Sequence, residues 1–173
     1  MSASDNGDPA AFVGDVLQVA VVTADLYSTI DGLMAVGVGP FSVFRDVKPA
    51  QGTYMGEPAE FSMTMAIANV GTMMWEVIVP GSGPSIYQDF LDEGGAGLHH
   101  IAIGVGGIPY ADRVAGLLER GYQQIQSGVA FDGAVPFGYF HDGNKNTPIM
   151  EIFEFPEGFE PVPDEIYPAP EPA

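Results

Sequence analysis

The chain has 173 residues, of which 46% are hydrophobic, so it can bury a substantial core as one compact domain. Its formal net charge of −18, from 23 Asp and Glu against five Lys and Arg, repels nucleic acid and anionic membranes and disfavours both as partners. The absence of cysteine excludes disulfides, thiolate metal sites and cysteine nucleophiles. No apolar run is long enough to span a membrane and the first residues lack a signal-peptide pattern, so we expect a cytoplasmic protein.

The first half of the chain predicts a strand, a helix and three further strands, after a polar arm over residues 1–13. Asp25 offers an N-cap to a helix over Leu26–Met34, where apolar residues recur at helical spacing. The turn-forming residues of 49–58 predict a loop. The strands are predicted over residues 17–23, 41–48, 60–69 and 73–79. Together these elements make a first module over residues 14–80.

The second half predicts the same order of elements after a connection over residues 81–97, which contains a short helix over 84–91. A strand over residues 97–105 is followed by a helix over 109–120 that turns Val114, Leu117 and Leu118 inward. Further strands are predicted over residues 122–130, 135–141 and 147–155. We assign residues 98–156 to a second module, and the Pro-rich, acidic residues 157–173 to an extended tail.

Short stretches of the first module recur in the second. The strand that starts at Gln18 resembles the strand that starts at His100, and Trp75-Glu76-Val77 resembles Met150-Glu151-Ile152. A third match links residues 40–46 to residues 136–142, which share Pro, two Phe and Asp at one spacing. Three matches in one order indicate two modules built on the same plan.

Each module places one polar residue at the start of its first strand and one Glu in its last strand. Because side chains alternate across a strand, His100 shares a face with Ala102, whereas His99 is expected on the opposite face as a packing or hydrogen-bonding residue. The remaining imidazole, His141, is interpreted as a rim residue beside Asp142. An imidazole, two carboxylates and an amide would form a nitrogen and oxygen ligand set suited to one Zn, Ni, Co or Mn ion.

These motifs resemble the vicinal oxygen chelate superfamily, which includes glyoxalases, methylmalonyl-CoA epimerases, extradiol dioxygenases and bleomycin-resistance proteins. The resemblance covers most of residues 14–159 and is carried by the four segments around Gln18, Glu76, His100 and Glu151. It implies an α+β fold in which two tandem βαβββ modules form a curved mixed sheet around a cleft. It also implies that these four residues are the metal ligands.

The same resemblance implies a metal-dependent isomerase, epimerase or lyase that acts through an enediolate on a small carbonyl or acyl-thioester substrate. Glu151 and Glu76 would then be the catalytic acid and base. The ligand order Gln, Glu, His, Glu is similar to glyoxalase I, whereas Pro80 and the segment Gly97-Leu-His-His-Ile-Ala are similar to the epimerases. Ala96 stands where glyoxalase I would have an arginine, so the substrate stays open.

Two alternatives remain at this point. A bleomycin-resistance-like protein would use the cleft to bind a small molecule without chemistry, and the negative charge would suit a cationic ligand. An extradiol dioxygenase is less consistent with the sequence, because that group uses two His and one Glu where this chain has Gln18 in place of the first His. We expect a homodimer.

Overall fold

The computed structural model of the protein describes residues 12–104 and 107–170, which form three helices and an eleven-stranded mixed sheet. The predicted arm up to residue 11, Val105 at the end of a predicted strand and the last three residues of the predicted tail lie outside the described residues. None of the described helices is long and apolar enough to cross a membrane. In chain order the elements are β1 (Val16–Val22), α1 (Leu26–Met34), β2 (Phe41–Val47), β3 (Ala50–Tyr54), β4 (Glu57–Pro58), β5 (Met63–Val70), β6 (Met73–Pro80), α2 (Ile86–Asp92), β7 (Gly97–Ile103), α3 (Tyr110–Glu119), β8 (Gln123–Ala130), β9 (Val135–His141), β10 (Ile149–Phe153) and β11 (Glu165–Tyr167).

The sheet confirms the predicted α+β fold of two βαβββ modules. Its strand order is β11-β2-β5-β6-β1-β7-β10-β9-β8-β3-β4, so β1 and β7 pair antiparallel at the centre. Strands β6, β5 and β2 of the first module lie on one side of this pair, and β10, β9 and β8 of the second module lie on the other, while β3 and β4 cross over to lie beyond β8. The parallel pairs β1–β6 and β7–β10 occupy equivalent positions beside the central pair. The two modules therefore join edge to edge within one chain.

Chain connectivity requires the sheet to curl. The eight strands from β2 to β8 would place the outer two about 34 Å apart if the sheet were flat, at about 4.8 Å between neighbours. Yet β2 ends at Val47 and β3 begins at Ala50, which pairs with Val129 of β8. Three residue steps span at most about 11 Å. The ends of β2 and β8 must therefore approach each other, which encloses a concave face.

The helices cover the convex face and one end of the concave face. Asp25 caps α1 as predicted, since its Oδ1 accepts a hydrogen bond from the Ser28 N–H at 3.1 Å, and the helix buries Leu26 and Ile30 against the first module. Helix α3 buries Leu117 against the second module. Helix α2 places Ile86 and Tyr87 in the cluster on the concave side.

The structure differs from the sequence-based predictions in three elements. Residues 49–58, predicted as a loop, form the β3–β4 hairpin that extends the sheet beyond β8, a pairing partner more than 70 residues away along the chain. The predicted tail contributes β11, which pairs with the edge strand β2. Leu117 is buried as predicted, but Leu118, also predicted to face inward, is 48% exposed, because the last turn of α3 directs Leu117 to the core and leaves Leu118 on the outer side.

One of the three sequence matches joins strands that are not equivalent. Residues 40–46 belong to β2 and residues 136–142 to β9, but the symmetric counterpart of β2 is β8 and that of β9 is β5. The shared Pro, Phe and Asp reflect two strands that begin and end alike. The matches of β1 with β7 and of β6 with β10 do join equivalent strands.

Candidate metal centre

Sheet register brings the four predicted donor residues together around two alanines. Ala20 of β1 lies opposite Glu76 of β6 on one side and His100 of β7 on the other. Ala102 of β7 lies opposite Gln18 of β1 on one side and Glu151 of β10 on the other. Residues opposite each other in adjacent strands point to the same face, so both alanines lie beneath the four longer side chains. This arrangement repeats itself about the β1–β7 pair, as the repeat in the sequence predicts.

The polar atoms of these four side chains converge on one point. Gln18 Nε2 donates to Glu76 Oε2 at 2.8 Å and to Glu151 Oε2 at 3.0 Å, and it lies 3.5 Å from His100 Nε2. His100 Nε2 is 3.4 Å from Glu76 Oε2 and 3.1 Å from Glu151 Oε2. All four residues are buried, with at most 5% of their surface exposed. We refer to Gln18, Glu76, His100 and Glu151 as the donor cluster.

The electrostatics of the donor cluster arise from two carboxylates held together away from water. Burial raises the pKa of Glu76; hydrogen bonding to His100 opposes that shift, and the negative charge of Glu151 adds to it. Burial acts to lower the pKa of His100, but its contacts with Glu151 and Glu76 outweigh burial and raise the pKa to about 9. The cluster therefore favours a positive charge at its centre.

Residues of the donor cluster fit a divalent metal ion. Ligand atoms of Glu76, His100 and Glu151 all lie within 4.8 Å of one another. Two carboxylates, one imidazole nitrogen and the amide oxygen that Gln18 presents after a half-turn of its amide form a set that suits borderline to hard divalent ions. A cation among them would relieve the repulsion between the two buried carboxylates.

His99 contacts His100 at the side of the ring away from the donor cluster. Ala20 pairs with His100 while Val21 pairs with Leu98, so His99 is the extra residue of a β-bulge and strand alternation does not hold there. This bulge corrects the expectation that His99 faces the opposite side with Ile101. Its ring packs against Tyr87 and Phe90, and the Nδ1 atoms of His99 and His100 are 2.9 Å apart. Burial and the charge of His100 lower the pKa of His99 to about 3, so it stays neutral.

His141 lies apart from the donor cluster. Its Nδ1 accepts a hydrogen bond from the Gly143 N–H, and its Nε2 is 3.2 Å from the Thr147 carbonyl oxygen. These contacts hold the turn after β9, where Asp142 accepts from Asn144 and Thr147.

A small cavity of about 40 Å³ with an open mouth lies above the donor cluster. Gln18, Glu76 and Glu151 form its polar part, and Tyr139 stands beside them on β9, opposite Glu151. The Tyr139 hydroxyl accepts a hydrogen bond at 2.8 Å from Tyr87, and burial, followed by the charge of Glu151, raises the pKa of both phenols.

Most of the remaining cavity wall was not predicted from the sequence. Its other residues are apolar: Met63, Met65, Ile67, Met74, Ala130, Phe131, Val135, Phe137, Phe153 and Phe155. The alternation of side chains along a strand could have predicted several of them, since Met74 shares a face with Glu76 and Phe153 shares a face with Glu151.

Comparisons with known proteins agree with this architecture. A family model described as glyoxalase/bleomycin resistance protein/dioxygenase superfamily matches residues 17–139. A search of curated protein sequences finds no significant match to the chain.

Solved structures with the same fold share little sequence with this chain. A hypothetical protein from Bacillus halodurans C-125 is 19% identical, with a TM-score of 0.60 over 84% of this chain and 97% of that one. Methylmalonyl-CoA epimerase from Mycobacterium tuberculosis is 14% identical, with a TM-score of 0.56 over 88% of this chain and 95% of that one. A variant of the Streptomyces coelicolor epimerase in complex with 2-nitronate-propionyl-CoA is 14% identical, with a TM-score of 0.52 over 82% and 94%. At these identities the likeness shows the fold alone.

Proposed function

Since the chain belongs to the glyoxalase/bleomycin resistance protein/dioxygenase superfamily, also called the vicinal oxygen chelate superfamily, we propose that it is a metal-dependent isomerase, epimerase or lyase. The observation that carries the proposal is the donor cluster, in which two buried carboxylates meet an imidazole and an amide at the base of an apolar cavity. The substrate is a small molecule with a proton on the carbon next to a carbonyl group.

We assign Gln18, Glu76, His100 and Glu151 as the residues that hold one divalent ion, such as Zn, Ni, Co or Mn. When bound, the ion supplies Lewis acidity, which polarises a substrate carbonyl and acidifies the neighbouring C–H bond. Burial of these four side chains keeps bulk water out of the reaction site, which strengthens electrostatic effects there.

Glu151 and Glu76 are the residues we assign to proton transfer. Both line the cavity, and both use Oε2 for their contacts within the donor cluster, so Oε1 of each is the atom assigned to the substrate proton. One carboxylate takes the proton from the carbon. The other, in its protonated form, then gives a proton to the opposite face of that carbon, or the carboxyl group that took the proton returns it to the neighbouring carbon. The first outcome inverts a stereocentre and the second moves the carbonyl group.

The test of the metal site is elemental analysis after incubation with Zn, Ni, Co and Mn, followed by removal of excess ion. We expect close to one ion per chain for the wild type and near zero for Glu151→Gln. Glu157→Gln, which changes an exposed glutamate outside the cavity, is the matched control and should bind as the wild type does. Absence of metal uptake by the wild type would contradict the proposal of a metal-dependent reaction.

The test of the reaction is deuterium incorporation from heavy water into 2-substituted acyl thioesters, hemithioacetals and cyclic ketones. We expect exchange that chelators abolish and that Glu151→Gln reduces by about 10²-fold or more, as expected for loss of a general base. An oxygen electrode should show no uptake. Metal-dependent oxygen consumption with a catechol would instead indicate a dioxygenase.

A binding protein without chemistry is the second candidate, and the apolar cavity is the feature that favours it. In that case ligands would bind with the same affinity whether or not metal is present. The homodimer and the cytoplasmic location remain predictions, and gel filtration with light scattering tests the first of them.

A further inference from the structure

Among the residues that the structure describes, no positive side chain lines the wall of the cavity above the donor cluster. Beyond the donor cluster and Tyr139, its described lining consists of three methionines, four phenylalanines and three aliphatic residues, drawn from β5, β6, β8, β9 and β10 and the turns beside them. Met63, Met65 and Phe137 are almost fully buried and form its inner wall. Such a wall binds a hydrophobic body and offers no partner to an anionic group.

All five basic residues of the chain are held elsewhere. Arg45 pairs with Glu165 and also contacts Tyr27, and Lys48 Nζ is 2.7 Å from Asp46. Arg113 and Arg120 lie over the ring of Phe12, on the side of the second module that α3 covers. Lys145 is exposed in the turn between β9 and β10.

Arg45 and Lys48 border a neighbouring depression that shares Phe131 with the cavity. The same depression is lined by three carboxylates, those of Asp46, Asp132 and Asp164. With two cationic and three anionic side chains, this depression beside the cavity carries a net negative charge. A phosphate-rich group that entered from here would meet net repulsion, in addition to the −18 charge of the whole chain.

We infer that the substrate is a neutral, hydrophobic ketone, and that CoA thioesters and other polyanions are excluded. This inference rests on the proposed function, since it assigns the substrate carbonyl to the donor cluster. The hydrophobic body of the ketone packs on Met63, Met65 and Phe137. Its carbonyl group faces Gln18 and Glu151 at the base of the cavity.

Methionine methyl groups give a direct test of binding that does not depend on turnover. With ¹³C-methyl methionine, the signals of Met63, Met65 and Met74 report on the cavity, while those of Met34 and Met55 lie outside it and serve as internal controls. The probes are 2-phenylcyclohexanone, its analogue with a carboxylate at the 4-position of the phenyl ring, and propionyl-CoA. We expect the neutral ketone to shift only the cavity signals and to bind at least tenfold more tightly than either anion. Equal binding of the carboxylate analogue or of propionyl-CoA would overturn the inference.

A positive charge added to the cavity wall tests whether the lack of such charge sets the preference for a neutral ligand. Met74 is partly exposed on the cavity wall, so Met74→Lys places an ammonium group there; Met55→Lys makes the same change on the exposed turn after β3 and is the matched control. We expect Met74→Lys to tighten the carboxylate analogue and weaken the neutral ketone, while Met55→Lys binds both as the wild type does. No gain for the anion in Met74→Lys would show that charge does not set the preference.

Failure of this inference and failure of the proposed reaction give different results. Selective binding of the neutral ketone without metal-dependent deuterium exchange would keep the ligand class and remove the reaction. Metal-dependent exchange on propionyl-CoA by the wild type would keep the reaction and overturn the ligand class.

Discussion

Gln18 is the residue of the donor cluster whose side chain ends in both a hydrogen-bond donor, Nε2, and an acceptor, Oε1. Its Nε2 donates to both carboxylates, and a half-turn of the amide would present Oε1 to an ion instead. We expect Gln18→His to retain the metal, because an imidazole nitrogen suits the same ions, and Gln18→Leu to weaken it by about tenfold or more. Competition with a chromogenic chelator measures both. Equal affinity of the wild type and Gln18→Leu would place Gln18 outside the coordination shell.

His99 is a positioning residue in the proposed site. If Nε2 of His100 is the metal ligand, Nδ1 of that ring is protonated. It then donates a hydrogen bond to Nδ1 of His99, which lies 2.9 Å away. A pKa of about 3 keeps His99 neutral, so this acceptor is present at physiological pH.

Replacing His99 by phenylalanine tests that role while it preserves the packing on Tyr87 and Phe90. We expect His99→Phe to keep about one metal ion per chain but to weaken metal affinity by about 10- to 100-fold, the usual effect of losing an outer-shell partner. His141→Phe makes the same change in the turn after β9 and should have no effect on affinity. Complete loss of metal in His99→Phe would contradict a positioning role and indicate direct ligation.

Elements defined by local signals were predicted from the sequence to within a few residues. Asp25 and the apolar spacing that follows it define α1, and Gly121 marks the end of α3, because capping and periodicity act over a few neighbouring residues. The hairpin of β3 and β4 was missed because its residues are turn formers that adopt strand geometry only through pairing with β8. The bulge at His99 was missed for the same reason, since it is a property of how β7 pairs with β1.

Strand β11 depends on a group of side chains that join the last part of the chain to β2 and α1. Tyr27 Oη donates to Glu165 at 2.7 Å, Arg45 pairs with the same carboxylate, and Tyr167 Oη donates to Asp31 at 2.8 Å. The hydrogen bond from Tyr27, together with Arg45, lowers the pKa of Glu165 below its ordinary value of 4.5. The ionised carboxylate therefore favours the docked strand.

The sign of this shift predicts a pH dependence for β11. Because the pKa of Glu165 is lowered in the folded state, its contribution is complete above the ordinary value and is lost as the pH falls through the lowered one. Glu165→Gln should reproduce the loss at neutral pH, seen as faster hydrogen exchange of amides in residues 164–167. Glu160→Gln, at an exposed position of the same segment, is the control and should exchange as the wild type does. Unchanged exchange in Glu165→Gln would show that backbone pairing with β2 alone holds the strand.

The donor cluster exists only in the assembled molecule. Gln18 and Glu76 come from the first module, and His100 and Glu151 from the second, and the antiparallel pairing of β1 with β7 brings the two pairs together. The sequence repeat could predict which residues are equivalent. It could not predict that Ala20 and Ala102 lie at the centre of the site, because that follows from the register between modules.

Net charge acts on the whole molecule. At −18 the folded chain repels itself, and the repulsion is greater in the compact state than in the expanded unfolded chain. Screening shortens from about 30 Å at 0.01 M salt to about 10 Å at 0.1 M, distances comparable with a domain of this size. We therefore expect the Tm of the metal-free protein to rise by several degrees between 0.01 and 0.2 M NaCl at pH 7.5, measured by calorimetry.

The same titration at pH 5 is the control for that effect. More carboxylates are protonated at pH 5, so the molecule carries less charge and the rise in Tm with NaCl should be smaller. Salt concentrations up to 0.2 M are low enough that screening, rather than exclusion of salt from the protein surface, dominates the change. A Tm at pH 7.5 that does not change or that falls over this range would show that neighbouring opposite charges, such as Lys48 with Asp46, outweigh the repulsion among the remaining carboxylates.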